Sequence, residues 1–489
     1  MAHAGRMSKR ATIIGAGLVG SLLATLLAQR GFEVEIFERR SDPRTHGFLG
    51  GRSINLALAE RGLAALRQAG LADAVLREAV MMRGRMVHAL DGTTNLQRYG
   101  LDDSEVIRSV SRGGLNILLL DTAARAGARL HFGAGLDEVD FDSNTVTLAG
   151  SNGTRRRHAA GLLFGCDGAG SALRAAMAKV ADLGERVEPL GHGYKELEIP
   201  ARNPRSTAPG VDSIPGAGSR PVPGRDGVSM TGMTRERFAL EPHALHIWPC
   251  GHYMCIALPN TDGNFTVTLF LPNDGPHPSF ATLPDAAAAR ILFEQQFPDA
   301  LALMPDFADD WNGHPTGQLA TLYLDHWHLD GRALLLGDAA HAIVPFHGQG
   351  MNAGFEDAAE LARLLQERPG DPAPVFDEFE RGRKPDADAI AAMSLANYIE
   401  MRDGVADPHY LLKRQLAAAL TERVPERFMS RYRLVSFTTL PYAACVARDR
   451  QQTALMESIL AGHDKLETVD LDAAAARASA SLPLLPPGT

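Results

Sequence analysis

Residues 11–40, ATIIGAGLVGSLLATLLAQRGFEVEIFERR, restrict the fold of this chain more than any other stretch. A short apolar strand, a glycine-rich turn, an apolar helix and a second strand follow one another, in the order of a dinucleotide-binding βαβ unit. The turn carries a GxGxxG pattern at Gly15, Gly17 and Gly20. The first glycine permits a tight turn, the second lets a pyrophosphate approach the backbone, and the third lets the helix pack closely on the strand. The sequence therefore predicts a parallel α/β sheet with a nucleotide at this helix N-terminus.

Acidic residues follow three of the predicted strands. Glu38 ends the second strand, where its carboxylate can accept hydrogen bonds from ribose hydroxyls. Asp167 follows the strand in LLFGCDGAGSALR, which has the form DGxxSxxR, and Asp338 follows an apolar run in GDAAHAIVPFHGQGMN. The second of these segments continues into a glycine-rich turn and a helical pattern. The three acids are therefore expected at one edge of the sheet, around a bound ligand.

Composition narrows the classes of partner. The net charge is −9, from 49 basic and 58 acidic residues, and no basic block is present. This balance argues against nucleic acid or an anionic membrane as the main partner. The four cysteines lack the density of a disulfide framework, and no run of 18 apolar residues could cross a membrane. A cytoplasmic location is therefore expected, without a metal site.

The 489 residues are expected to form more than one domain. Segments such as HALHIWP and NFTVTLFLP have the length and pattern of strands in an antiparallel sheet. The predicted divisions are a discontinuous dinucleotide domain at 8–190 and 310–384, an antiparallel β substrate domain at 191–309, a C-terminal helical segment at 385–476 and a flexible tail at 477–489. A Pro/Gly-rich insert at 203–227 is predicted to form a loop.

The segment RMVHALDGTTNLQRYG, 85–100, is typical of a β-hairpin. If its loop is centred on Gly92, Arg85 lies directly opposite Tyr99 on the same face. A guanidinium beside a phenol can hold a carboxylate, although the pattern fits a solvated strand face equally well.

Two further segments allow two interpretations each. Asn397, Glu400 and Met401 fall on one face of a predicted helix, which either lines a pocket or faces solvent. The glycine-rich segment around Arg52 is either a flexible loop or part of the nucleotide site.

The three strand-end motifs, in this order and at these distances, resemble those of the flavoprotein aromatic hydroxylases. The resemblance implies a Rossmann-like FAD-binding domain of the aromatic-hydroxylase type, an antiparallel-sheet substrate domain and a C-terminal helical segment. It also implies tightly bound, non-covalent FAD, NADPH as a transient co-substrate, and O2. The segments GRSINLALAERG, RGRMVHALDG, VPFHGQGMNAGFED and LANYIEMRD are similar to the kynurenine 3-monooxygenase family. That similarity implies hydroxylation of L-kynurenine to 3-hydroxy-L-kynurenine, in the kynurenine pathway of tryptophan catabolism.

The resemblance also assigns residues to the two sites. It implies that the cofactor-binding residues are Gly15, Gly17, Gly20, Glu38, Arg39, Arg52, Arg112, Asp167, Asp338, Gly348, Gly350, Met351 and Asn352. It implies that the substrate-binding residues are Arg85, Tyr99, Asn397, Tyr432, Phe270, His347, Glu400 and Met401. No general base is expected, because the aromatic amino group of kynurenine already donates electrons into the ring that is attacked.

Two other functions stay open at the level of sequence. One is a related flavin hydroxylase that acts on a phenol or a benzoate, and the other is a non-enzymatic protein on an FAD-type fold. The tail lacks the apolar anchor of the eukaryotic members, so a soluble, bacterial-type enzyme is expected, as a monomer or a homodimer.

Overall fold

The computed structural model describes residues 9–46, 55–202, 235–402 and 408–486. The predicted insert at 203–227 and the predicted cofactor residue Arg52 lie outside the described residues. Within the described ranges, none of the helices combines the length and the apolar character that a membrane span requires.

The strands are β1 (Arg10–Ile14), β2 (Glu33–Glu38), β3 (Asn55–Leu58), β4 (Val80–Met82), β5 (Gly84–His88), β6 (Thr94–Arg98), β7 (Ile107–Ser111), β8 (Arg129–Phe132), β9 (Ala134–Asp140), β10 (Thr145–Gly150), β11 (Arg155–Ala159), β12 (Leu162–Gly165), β13 (Arg186–Ile199), β14 (Ala244–Pro249), β15 (Met254–Pro259), β16 (Phe265–Pro272), β17 (Gly317–Tyr323), β18 (His328–Leu329) and β19 (Ala333–Leu335). The α-helices are α1 (Leu18–Gln29), α2 (Pro43–His46), α3 (Glu60–Gln68), α4 (Ala72–Arg77), α5 (Arg112–Arg125), α6 (Ala172–Met177), α7 (Ala286–Gln296), α8 (Pro298–Leu301), α9 (Phe307–Gly313), α10 (Asp338–His341), α11 (Gly350–Glu367), α12 (Pro372–Arg402), α13 (Pro408–Arg423), α14 (Arg431–Phe437), α15 (Tyr442–Leu460) and α16 (Leu471–Ser481).

The first sheet has the order β18-β19-β12-β1-β2-β8 and is parallel except at the β18–β19 pair. The strand β1 is buried on both faces, as its apolar sequence predicts, between β12 and β2. Because parallel strands end at the same edge, β1, β2, β12 and β19 bring their following turns together. The three predicted strand-end acids therefore share this edge, as expected.

The second sheet has seven strands in the order β17-β13-β16-β15-β14-β5-β6. Two features differ from the sequence prediction. Strands β5, β6 and β17 lie outside the predicted range 191–309, so the boundaries at 191 and 309 divide one continuous sheet. The sheet is also not wholly antiparallel, because β14 and β5 run parallel. Strands far apart in the sequence complete this sheet, which a segment-by-segment prediction does not capture.

The β5–β6 hairpin has a different register from the predicted one. Arg85 pairs with Gln97, so the loop is centred on Asp91 and not on Gly92. The side chain of Asp91 accepts hydrogen bonds from the backbone N–H of Thr93 at 2.9 Å and from its hydroxyl at 2.7 Å, which fixes the turn one residue earlier. Tyr99 follows Gln97 by two residues and therefore keeps the same face as Arg85, diagonally across the hairpin.

The C-terminal part is helical, but the predicted tail begins too early. Helix α16 continues to Ser481, past the predicted tail start at 477. Ala474, Ala478 and Leu482 recur every fourth residue and are buried against α13 and α15. This apolar stripe holds α16 against its neighbours. The sequence predicted a frayed segment from 477 onward, because its residues are small and partly polar.

A buried charge network joins the end of the first sheet to helices α11 and α12. Asp357 on α11 is fully buried and accepts hydrogen bonds from the backbone N–H of Gly337 at 3.0 Å, from His341 Nε2 at 2.6 Å and from Arg383 Nε at 2.8 Å. Burial by itself raises the pKa of Asp357, but the charges and hydrogen bonds of His341 and Arg383 outweigh it and hold the pKa well below its usual range.

We predict that Asp357→Asn destabilises the protein by about 3–5 kcal/mol, because it removes the buried carboxylate that His341 and Arg383 share and leaves Arg383 with only its longer ion pairs to Glu356 and Asp386. The urea midpoint measures the loss. Asp388→Asn is the matched control, since the half-exposed Asp388 on the same helix α12 forms a surface ion pair with Lys384. Its effect should stay within about 0.5 kcal/mol.

The pH dependence of this contribution follows from its sign. A depressed pKa stabilises the fold fully above the ordinary Asp value of about 4. The contribution is then lost as the pH falls below that value, and Asp357→Asn should lack this part of the acid dependence. Equal stability of wild type and variant between pH 3 and 7 would contradict the paired-charge interpretation.

Candidate active site

A cavity of ≈ 320 Å³ lies at the carboxyl edge of the parallel sheet. Six of the predicted cofactor residues line it: Gly15, Gly17, Glu38, Arg39, Arg112 and Asp167. Helix α1 begins at this cavity, and its N-terminus has no side-chain cap. Its first amides and its dipole therefore favour an anionic group, such as a pyrophosphate, at this position.

The three turn glycines have different structural roles. Gly15 has φ +99°, and a Cβ there would lie 2.5 Å from the carbonyl oxygen of Cys166. A Cβ at Gly20 would overlap the carbonyl oxygen of Gly15. Gly17 differs from both, because a Cβ there meets nothing within 4 Å and its φ of −72° suits any residue. The protein itself therefore does not require glycine at position 17, and the open space fits a close ligand.

Two polar side chains fix the backbone of this turn. Glu38 accepts hydrogen bonds from the backbone N–H groups of Ala16 and Arg40, both at 2.9 Å. Asn116 donates to the carbonyl oxygen of Ala16 at 3.0 Å and lines the same cavity. Asn116 was not predicted as a site residue. An amide within the apolar helix α5 could have indicated one, because a buried amide needs hydrogen-bond partners.

The DGxxSxxR segment stabilises the wall of the cavity. Asp167 accepts hydrogen bonds from the hydroxyl of Ser171 at 2.5 Å and from the backbone N–H of Ala172 at 2.6 Å, so it caps α6. Arg174 donates to the carbonyl oxygens of Ala169 at 2.6 Å and Ala339 at 3.0 Å. The arginine thus ties this segment to the turn that contains Asp338.

The segment from Asp338 to Asn352 connects the cavity to a second site. Asp338 begins α10 with an exposed side chain. Gly348 has φ +66°, and α11 begins at Gly350 without a side-chain cap.

Met351 is partly buried against the core of the parallel sheet. The amide of Asn352 donates to the carbonyl oxygens of Ala57 and Gly348, both at 2.9 Å, and accepts from the N–H of Ala59 at 3.0 Å. Its side chain is thus committed to the protein, which leaves only backbone groups for a cofactor.

A second cavity of ≈ 250 Å³ lies between the β5–β6 hairpin and the C-terminal helices. Six predicted substrate residues line it: Arg85, Tyr99, His347, Asn397, Glu400 and Tyr432. The other two, Phe270 and Met401, do not line this cavity but are buried in an adjoining apolar cluster with Phe346. Phe270 packs against Phe346 with ring centroids 5.0 Å apart, so both shape the wall from behind.

Arg85 is a half-buried cation in the wall of this cavity. Its guanidinium carbon lies 5.8 Å from the ring centroid of Tyr99 and 5.3 Å from that of Tyr432. The two rings stack at 4.8 Å, and the Nε atom of Arg85 is buried without a hydrogen-bond partner. Within the described part of the chain, no carboxylate forms an ion pair with Arg85. A buried cation that lacks an acid is costly unless a ligand supplies one.

Two contacts bring the C-terminal helices to this cation. Arg433, next to Tyr432, makes a bidentate ion pair with Glu105 at 2.7 and 2.6 Å, which holds α14 against the chain that follows Tyr99. The amide nitrogen of Asn397 donates to the carbonyl oxygen of Phe346 at 2.6 Å. This leaves the amide oxygen of Asn397 able to accept from an ammonium group.

His347 is a neutral wall of the cavity. Its ring stacks on Tyr432 with centroids 5.4 Å apart, and its Nδ1 is buried without a partner. Burial, reinforced by nearby arginines, lowers the pKa of His347 to about 3. An imidazole with so low a pKa is a weak proton acceptor at neutral pH.

Other lining residues were not predicted, among them Arg431 and Tyr410. Arg431 forms an ion pair with Glu400 and another with Asp449 at 3.3 Å, and Tyr410 on α13 lines the same cavity. Arg431 precedes Tyr432 in the RYRLVSF segment, but its partner Glu400 lies on another helix. No local pattern predicts that pairing. Glu400 therefore already forms an ion pair with Arg431. A substrate that contacts Glu400 must do so next to that ion pair.

Comparison with known proteins identifies the family of the chain. The family described as FAD binding domain matches residues 9–187 and 305–393. The kynurenine 3-monooxygenase of Stenotrophomonas maltophilia is 50% identical over 486 residues, which are 99% of this chain and 99% of that protein. The kynurenine 3-monooxygenase of Xanthomonas axonopodis pv. citri is 52% identical over 464 residues, 94% of each. Among solved structures, the tetrameric form of 2-methyl-3-hydroxypyridine-5-carboxylic acid oxygenase matches with a TM-score of 0.61 at 21% identity, over 83% of this chain and 96% of that chain. This last likeness concerns the fold alone.

We predict that Gly17→Val abolishes FAD binding without unfolding the protein. The rest of the protein leaves room for the valine side chain. That side chain then fills the space beside the N-terminus of α1, where the pyrophosphate is expected. The flavin-to-protein ratio after desalting should fall close to zero, while circular dichroism of the apoprotein stays that of the wild type. Gly20→Val is the contrasting variant and should disturb the fold itself. A Gly17→Val protein that stays fully yellow would refute the phosphate-turn interpretation.

Proposed function

The chain belongs to the kynurenine 3-monooxygenase family of FAD-dependent enzymes, and we propose that it hydroxylates L-kynurenine to 3-hydroxy-L-kynurenine with NADPH and O2. The observation that carries the substrate assignment is the half-buried guanidinium of Arg85, which lies beside two stacked phenols and has no acidic partner among the described residues. An amino acid supplies the missing carboxylate. The experiment that tests the assignment is NADPH oxidation with a panel of aromatic amino acids, with identification of the product.

The cavity offers separate groups for the two ends of an amino acid. Arg85, with the hydroxyls of Tyr99 and Tyr432, binds the carboxylate through charge-assisted hydrogen bonds. Burial raises the pKa of both phenols, so they stay protonated and donate. The amide oxygen of Asn397 accepts from the α-ammonium, because its nitrogen is already bonded to Phe346. His347 is placed along the remaining wall, toward the turn that leads to α11.

The acid–base groups of the cavity favour an aniline over a phenol as the reacting ring. A phenol must lose a proton to become reactive, and this requires a base. His347 has a pKa of about 3, and Glu400 and Asp449 both pair with Arg431. These groups are poor bases for a phenol. An aromatic amine activates its ring without deprotonation, which supports kynurenine over the phenol alternative.

The residues of the first cavity fit FAD. Gly17 leaves open space at the N-terminus of α1, and Glu38 and Arg112 line the cavity beside it. When bound, FAD takes a hydride from NADPH and activates O2 for transfer to the substrate ring. The protein holds that ring in place and excludes water through the buried walls formed by Phe346, His347 and Tyr432.

We predict that Arg85→Ala weakens kynurenine binding by roughly 2–4 kcal/mol, or about 30- to 1000-fold, because one charge-assisted anchor is lost. Arg85→Lys should also weaken it, since an ammonium cannot form the bidentate contact of the planar fork. Titration of the flavin absorbance with kynurenine measures both.

Arg83→Lys is the matched control for this titration. Arg83 lies at the start of the same hairpin and pairs with Asp103 at the surface. Its dissociation constant should match the wild type. An unchanged constant in Arg85→Ala with intact flavin would remove Arg85 from the pocket.

We predict that kynurenine accelerates reduction of the enzyme-bound flavin by NADPH. The carboxylate bridges the hairpin residue Arg85 and the helix residue Tyr432, so it favours the closed arrangement of the C-terminal helices. Anaerobic stopped-flow absorbance measures the rate with and without substrate.

Tyr432→Phe deletes one hydroxyl and should weaken both binding and stimulation. The control ligand is the decarboxylated analogue of kynurenine, which should stimulate little. Equal rates in the wild type with and without kynurenine would disprove the coupling.

A further inference from the structure

The turn before α11 is held by side chains from three directions. Asn352 bonds the carbonyl oxygen of Gly348 from within the turn. Asn397 on α12 bonds the carbonyl oxygen of Phe346. The hydroxyl of Tyr442, the first residue of α15, donates to Oε1 of Gln349 at 2.9 Å. Two of these three contacts come from the C-terminal helices.

Tyr442 is itself held rigidly. Its ring is fully buried, and the guanidinium carbon of Arg61 lies 3.8 Å from the ring centroid, a close cation–π contact. Arg61 is also fully buried and donates to the carbonyl oxygen of Val435 at 2.8 Å and to Glu356 at 3.0 Å. The phenol therefore has little freedom to move away from Gln349.

The proton of this phenol fixes the direction of the hydrogen bond. Burial raises the pKa of Tyr442 well above its usual range, so the hydroxyl stays protonated and donates. The amide oxygen of Gln349 then faces Tyr442. Gln349 is the residue immediately before α11, and its side chain is thereby turned toward α15 and makes no bond to the helix N-terminus.

The turn lies between the two cavities. His347, at one end, lines the substrate cavity. At the other end, a Cβ on Gly354 of α11 would lie 2.6 Å from the side chain of Val19, on the helix whose N-terminus lines the flavin cavity. Helix α11 thus packs on α1, and the turn before it reaches the substrate cavity, so a movement of Gln349 shifts the link between the two.

We propose that Tyr442, supported by Arg61, is a positioning residue for this turn. It holds Gln349 so that the uncapped amides of α11 keep their place against the flavin and stabilise the negative charge of its reduced form. The inference rests on the proposed FAD-dependent function. It predicts that the hydroxyl of Tyr442 acts through Gln349 and touches neither substrate nor cofactor.

The test uses the FAD-loaded enzyme and the variants Tyr442→Phe, Gln349→Met and the double variant. Tyr442→Phe retains the ring beneath Arg61, so the packing survives. Without the hydrogen bond, amide exchange of the peptide covering 345–352 should rise about five- to tenfold. The midpoint potential of the flavin should become more negative, and a larger share of NADPH should be lost as hydrogen peroxide in the presence of kynurenine. The double variant should be no worse than either single variant.

Tyr253→Phe is the matched control, since it removes another buried hydroxyl in the core of the second domain. Its exchange, potential and peroxide yield should match the wild type. Unchanged exchange and potential in Tyr442→Phe, or additive effects in the double variant, would overturn the inference. Exchange and potential need no substrate. If the wild type fails to hydroxylate kynurenine, the proposed function fails, while these two measurements still decide the role of Tyr442.

Discussion

The carboxylate of Asp357 is the contact on which the arrangement of both cavities depends. It joins the turn at Gly337, the short helix that ends at His341, and Arg383 on α12, all in a region without solvent. Burying these charges costs several kcal/mol per ion, which only complete pairing offsets. The paired charges lie at the middle of α11. The direction of that helix is thereby fixed, and its N-terminus stays between the flavin cavity and the substrate cavity.

The sequence predicted the parts of the fold that local chemistry determines. Strand β2 ends at Glu38, as predicted, because the acid that ends it lies within the segment itself. The hairpin register was wrong by one loop position, because the side chain of Asp91 selects the turn, and that choice depends on geometry that the Asp-Gly pattern leaves open. The second sheet extends across the predicted divisions at 191 and 309, because sheet pairing between distant strands, such as β14 and β5, leaves no local pattern.

The same distinction applies to the candidate site. Gly17 was identified from spacing alone, and the open space around it agrees with the role assigned to it. Arg85 and Tyr432 came from a family resemblance, since neither the hairpin nor the helix pattern separates a pocket from a solvated face. The contact of Arg61 with the carbonyl oxygen of Val435 spans 374 residues of sequence, so no pattern could predict it. Such contacts exist only after the C-terminal helices have packed on the first domain.

The substrate cavity shows why these long-range contacts matter. A half-buried guanidinium that has no acidic partner among the described residues destabilises the ligand-free protein, and the adjacent rings of Tyr99 and Tyr432 offset only part of that cost, since a cation–π contact contributes about 1–2 kcal/mol. The remainder must come from contacts outside the cavity. The bidentate pair of Arg433 with Glu105 has this role, because it joins the two elements that carry the rings without entering the site. A carboxylate that binds Arg85 then meets two elements that this ion pair already holds near each other, so most of its binding free energy is available to favour the closed arrangement of the C-terminal helices.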